Sequence, residues 1–67
     1  MKLSAKWTKY LLALPESGMG YQKVDIVLSN GQIINDVIVH NAEEIELPEA
    51  FNDMKESEIY KIKLRIK

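Results

Sequence analysis

The chain has 67 residues, 46% hydrophobic and 28% charged, with no cysteine and a formal net charge of −1. That length gives one domain with a core near the lower size limit, and the missing cysteines exclude a disulfide scaffold and a thiolate zinc site. The charge is segregated: residues 1–14 carry +3, residues 15–58 carry −8 and residues 59–67 carry +4.

No apolar run approaches the roughly 20 residues of a membrane helix. The stretch Leu11 to Leu14 is too short for the apolar region of a signal peptide. These features and the lack of cysteine lead us to expect a cytoplasmic protein with no membrane partner.

The first element predicted is a short amphipathic helix over 4–14. Leu3, Trp7, Tyr10, Leu11 and Leu14 recur at offsets of three and four and form one stripe, with Lys2, Lys6 and Lys9 off it. Ser4 is placed to cap the helix through its hydroxyl, and Pro15 stops it. A loop follows over 15–20, with Met19 between two glycines. It has neither the Lys-Ser/Thr pair nor the preceding strand of a phosphate loop.

Residues 21–40 carry the clearest pattern. Val24, Ile26 and Leu28 alternate with more polar neighbours, Asn30-Gly31 follows, and Ile33 to Val39 continue to His40. This predicts a β-hairpin pairing 21–29 with 32–40 through a type I′ turn. Asn35-Asp36 interrupts the second strand and predicts a bulge or sharp bend that curls the sheet.

A short strand is expected over 43–47, where Ile45 and Leu47 alternate with Glu44 and Glu46. Helical turns are expected over 48–56, with Phe51 and Met54 directed back at the core. The last strand, 58–67, reads with Tyr60, Ile62, Leu64 and Ile66 on one face and Lys61, Lys63, Arg65 and Lys67 on the other. The whole is a mainly β domain, 1–67. It has one short N-terminal helix and a small curled antiparallel sheet or open barrel of about four to five strands.

The run Val24-Asp25-Ile26-Val27-Leu28-Ser29-Asn30-Gly31, with Ile34 to Val39 after it, resembles the first motif of the small Sm-like barrels. The resemblance spans 21–40 and implies a curled barrel-like sheet and, by association, RNA binding. The second Sm motif, an Arg-Gly pair near the last strands, has no counterpart, because no glycine follows Gly31. The RNA contacts of that family are therefore not carried over to any residue.

Catalysis finds no support in the residues. His40 is the single histidine and has no second soft ligand for a transition metal. The acidic tract Glu43 to Glu58 lacks the spacing and central glycine of a calcium loop. The serines lack a nucleophile-elbow context. We expect a non-catalytic interaction or accessory module with no metal or cofactor, its partner another protein or a second copy in a homo-oligomer such as a homodimer. The candidate interaction surface is Trp7, Tyr10, Met19 and Tyr21, or an unpaired strand edge. The alternative is a nucleic-acid-binding small barrel, with Lys61, Lys63, Arg65 and Lys67 as candidate phosphate contacts spaced about 7 Å apart along one face.

Overall fold

Strand β1 (Tyr21–Leu28) is the centre about which the chain is arranged. It pairs antiparallel with β2 (Ile33–His40) on one side and with β4 (Ile59–Leu64) on the other. A short β3 (Glu44–Glu46) adds to the far side of β2, so the sheet order is β3-β2-β1-β4. The structure, a computed structural model, describes residues 1–65. The sheet is curled and unclosed, with β3 and β4 at its opposite ends. Helix α1 (Ala5–Leu12) precedes it, and two 3₁₀ turns, Glu49–Phe51 and Glu56–Glu58, link β3 to β4.

The strict alternation of β1 dictates its place. Gln22, Val24, Ile26 and Leu28 are buried, while Tyr21, Lys23, Asp25 and Val27 are only half-buried on the other face. A strand flanked on both sides keeps even its outward side chains partly covered by neighbours. Ile34, Val37, Val39, Ile45, Ile59 and Ile62 complete the buried face of the sheet, and Leu3, Trp7 and Leu11 cover it. The pattern of α1, with Trp7 and Leu11 one turn apart, puts its stripe on that core. Met54 is buried and Phe51 packs partly against the cluster, as their spacing predicts.

Both pairings of β1 are bulged. Val24 faces Val37 and Ile26 faces Ile34, so Asp25 alone opposes Asn35 and Asp36. Asp36 takes φ 58°, the left-handed conformation that Asp tolerates better than most residues. This is the interruption that Asn35-Asp36 predicts. The second bulge was not foreseen. Val27 faces Lys61 but Leu28 faces Ile59, which leaves Tyr60 out of phase. Ile59 takes the buried position and Tyr60 is 71% exposed. The expectation that Tyr60 shares the inward face of Ile62 is therefore corrected. With two large apolar residues adjacent at the strand's start, the inward slot takes the aliphatic one, and the phenol keeps its hydroxyl in water.

The turn chemistry also differs from expectation. At Asn30-Gly31 only Gly31 has positive φ, at 95°. The Gly31 amide donates to Leu28 O and the Leu28 amide to Gln32 O, at 2.9 and 2.8 Å. This is a three-residue loop ending in a left-handed glycine, not a type I′ turn. Asn30 stabilises it, its side-chain oxygen accepting from the Gln32 amide at 2.9 Å. The turn with two successive left-handed residues forms instead between β2 and β3. Asn41 and Ala42 have φ 53° and 59°, and the Glu43 amide donates to His40 O. Ala42 accepts that conformation because its methyl group is buried in the core.

The ends of α1 are held by the sheet side of the molecule. Ser4 sits at the N-cap with extended backbone, but its hydroxyl makes no capping bond. The Glu56 carboxylate accepts from the Ser4 amide instead, at 2.8 Å. At the other end Gln22, 3% exposed, directs its amide nitrogen at three carbonyls, those of Leu11 (3.0 Å), Pro15 (3.2 Å) and Leu14 (3.4 Å). The last carbonyls of any helix lack intrahelical partners; here a buried glutamine on β1 supplies one. Gln22→Leu should lower unfolding free energy by about 1 kcal/mol, since the part-buried carbonyls of Leu14 and Pro15 lose their donor while that of Leu11 keeps the Leu14 amide. Gln22→Glu, isosteric but without amide hydrogens, should fall at least as far at neutral pH; urea unfolding followed by Trp7 fluorescence measures both.

Candidate functional site

The outward face of the sheet is graded in charge. Pairing places Glu44, His40 and Tyr21 in one row across three strands, and Glu46, Ile38 and Lys23 in the next. On the far side Asp25 faces Lys63, and Val27 faces Lys61. Acids therefore line the β3 side and cations the β4 side, with half-buried Ile38 and Val27 between. On the acidic side His40 Nε2 lies 3.0 Å from Glu46 Oε2, both exposed.

The two ends of the sheet differ in a second way. The edge of β3 is covered by the first residues of the chain: the Leu3 amide donates to Glu43 O, and the Ile45 amide donates to Met1 O at 2.8 Å. Lys2 sits opposite Glu44 in that pairing, and Leu3 is buried behind it. Strand β4 has β1 as its sole strand neighbour among the described residues. The Arg65 amide donates to Lys23 O, so in an antiparallel ladder Lys63 and Lys61 also turn their backbone groups toward β1. The amides and carbonyls of Ile62 and Leu64 then point away from β1, those of Ile62 fully buried and those of the half-buried Leu64 nearer the surface. One of these four groups is occupied: the Tyr10 hydroxyl donates to Ile62 O at 2.8 Å.

The residues singled out from sequence separate on this frame. Trp7 does not belong to a surface; it is 8% exposed, in the core, with its ring edge-on to Tyr10 at 5.7 Å. Helical spacing put it on the stripe, and the stripe faces inward. Tyr10 is 40% exposed and lies on the β4 edge, while Met19 is exposed at 98% on its loop. Tyr21 is half-buried, its ring against Gly18, where an added Cβ would collide with it. The four do not form one surface.

Of the cationic ladder, Lys61 and Lys63 are exposed and have no ion-pair partner among the described residues. Arg65 is already engaged, its Nη1 lying 2.7 Å from Asp25 Oδ1. Lys67 lies outside the described residues. Tyr60 joins Lys61 and Lys63 among the exposed side chains of this strand, where sequence reasoning had put it on the opposite face.

Asp25 ties three strands together. Its Oδ1 accepts from the Asp36 amide at 2.9 Å, which anchors the bulge of β2, and from Arg65 just beyond β4. The Asp36 amide bond, with the guanidinium and charge of Arg65 and the charge of Lys63, lowers the pKa of Asp25 below its ordinary value against the opposing effect of partial burial. Neither Asp25 nor Gln22 was identified from the sequence. Gln22 was legible in principle, as a polar residue in the inward phase of a strongly alternating strand.

Among the described residues no group of three or more His, Cys, Asp or Glu is arranged to hold a metal ion. No helix is long and apolar enough to cross a membrane. Comparison with protein-family models, with curated proteins and with solved structures found no match to this chain.

Because the folded pKa of Asp25 is depressed, the stability it contributes is complete above its unfolded pKa of about 3.9 and is lost as pH falls toward the folded value. Asp25→Asn should therefore be less stable than wild type at pH 7, and the gap should close between about pH 4 and lower pH. Urea midpoints across pH 2.5–7 measure this; a gap independent of pH removes the ionised carboxylate from the account.

Proposed function

We propose that this domain is a non-catalytic protein-interaction module that binds an extended segment of a partner by strand addition at the open edge of β4. The observation that carries the reading is the asymmetry of the two sheet edges. The β3 edge is covered by Met1 to Leu3, whereas β4 has no further strand beside it among the described residues: the half-buried Leu64 turns its backbone groups to that side, and the fully buried Ile62 is sheltered there by Tyr10. Exposed strand edges template pairing with another chain, and strand addition is a recurrent way of recognising extended peptides. Among the described residues the side chain bonded to this edge is Tyr10, whose hydroxyl donates to the carbonyl of the fully buried Ile62 and must move aside for a partner to pair there.

A nucleic-acid interface draws less support. Phosphate binding requires free cations, and Asp25 neutralises Arg65 in the middle of the ladder. The same outward face carries Glu44 and Glu46 across the sheet, which repel a polyanion. The exposed Tyr60 beside Lys61 and Lys63 is the feature in its favour, since it offers one ring for stacking.

A panel of three blocked octapeptides, alternating Val with Glu, Thr or Lys, tests the strand-addition reading by amide NMR. At least one peptide should shift the Ile62 and Leu64 amides and slow their hydrogen exchange. Leu64→Pro, which removes one edge donor and leaves the bonds from Lys63 and Arg65 to β1 intact, should abolish that binding. If this variant loses its fold by circular dichroism, the exchange data on the wild-type chain decide alone. No effect of any peptide on these two amides at millimolar concentration would overturn the proposal.

A further inference from the structure

The charge on β4 carries the reading further, to the chemistry of the strand it accepts; this step rests on the strand-addition proposal above. We infer that the partner segment is extended and acidic at alternate positions, with apolar residues between them.

The outward side of the edge is set by Lys61 and Lys63. Both are exposed, and neither has an ion-pair partner among the described residues. Their neighbours on β1 do not use both charges: Lys61 faces Val27, and only Lys63 faces an acid, Asp25, whose Oδ1 is already shared between Arg65 and the Asp36 amide. A strand added on the open side would place its outward side chains about 5 Å from these lysines. Opposite charges at that distance stabilise the pair and like charges oppose it.

On the inward side the edge is apolar. Ile62 is fully buried, Leu64 is half-buried and packs against the core, and Tyr10 lies alongside. The inward residues of an added strand would meet these groups, and apolar ones would extend the core. The opposite edge of the same sheet is already closed on this plan with the signs exchanged. There the acidic strand Glu44–Glu46 is covered by a segment that sets Lys2 opposite Glu44 and buries Leu3.

A second copy does not fit the site. Pairing β4 with its own copy brings lysine against lysine. The one acidic alternating strand among the described residues, β3, is already bonded on both sides, by β2 and by Met1 to Leu3. A single-stranded nucleic acid would satisfy the charges but supplies no ladder of backbone donors and acceptors.

Tyr10 acts as a latch on the edge. Its hydroxyl holds the Ile62 carbonyl, which a partner amide must take over. Tyr10→Phe leaves that carbonyl free and should tighten binding about fivefold, the worth of one hydrogen bond no longer displaced.

The three octapeptides, titrated at 50 mM salt, separate the outcomes. The Glu-Val peptide should protect the Ile62 and Leu64 amides, bind about fivefold more tightly than the Thr-Val peptide and bind over tenfold more tightly than the Lys-Val peptide. The double variant Lys61→Glu, Lys63→Glu, both surface changes, should reverse that order. Equal binding of all three peptides overturns the acidic chemistry and leaves strand addition standing. Failure of all three overturns strand addition itself. Binding of the acidic peptide without protection of the two edge amides overturns the ladder in favour of a simple charge contact. A single-stranded oligoribonucleotide that displaces the peptide at equal concentration overturns the protein partner in favour of nucleic acid.

Discussion

A single two-turn helix has to fill the concave face of a four-stranded sheet, and everything else in the domain accommodates that constraint. The helix is too short to be stable alone, since isolated helices of this length are marginal in water. It persists because Trp7 and Leu11 are buried in one core cluster with residues of β1, β2 and β4 and because its termini are completed from outside. Gln22 is the most consequential of these tethers. It costs the core one polar side chain, and it gives the carbonyls of Leu14 and Pro15 a donor and that of Leu11, which already accepts from the Leu14 amide, a second one. The same side chain fixes where the chain leaves the helix and enters β1.

The curl that makes room for the helix comes from irregularities in both ladders of β1. The bulge opposite Asp25 bends β2, and the bulge at Tyr60 bends the start of β4. A bulge increases local twist and re-aims the side chain it displaces. In β2 the displaced backbone amide is taken up by Asp25, which also holds Arg65. In β4 the displaced side chain is a tyrosine, set at the surface on the strand that carries Lys61 and Lys63, which have no ion-pair partner among the described residues. Packing and surface chemistry are therefore set by the same two sites.

Edge management gives the surface its direction. Closing one edge with the N-terminal residues removes the usual aggregation hazard there. The other edge is protected by charge: Lys61 and Lys63 oppose self-pairing. The graded face, acidic at β3 and cationic at β4, follows from placing an acidic strand and a basic strand at opposite ends of one sheet.

Much of this was written locally in the sequence. Alternation determined β1, the hydrophobic stripe determined α1, Asn35-Asp36 marked the bend in β2, and Phe51 and Met54 were spaced to return to the core, because each of these depends on residues close together in the chain. What local pattern could not decide was any choice between neighbours of similar chemistry. Ile59 and Tyr60 both suited the inward slot, and only the register against Leu28 assigned it to isoleucine. Two turn sites were available, and the buried methyl of Ala42, not the more favourable Asn30-Gly31, drew the two consecutive left-handed residues. Trp7 suits a surface contact by residue type, and packing buries it. The sequence by itself determined the element types, the bend in β2 and the separation of charge. Which edge is covered, which cations stay free and how Gln22 and Asp25 are used were decided only by tertiary structure, because each depends on contacts between residues far apart in the chain.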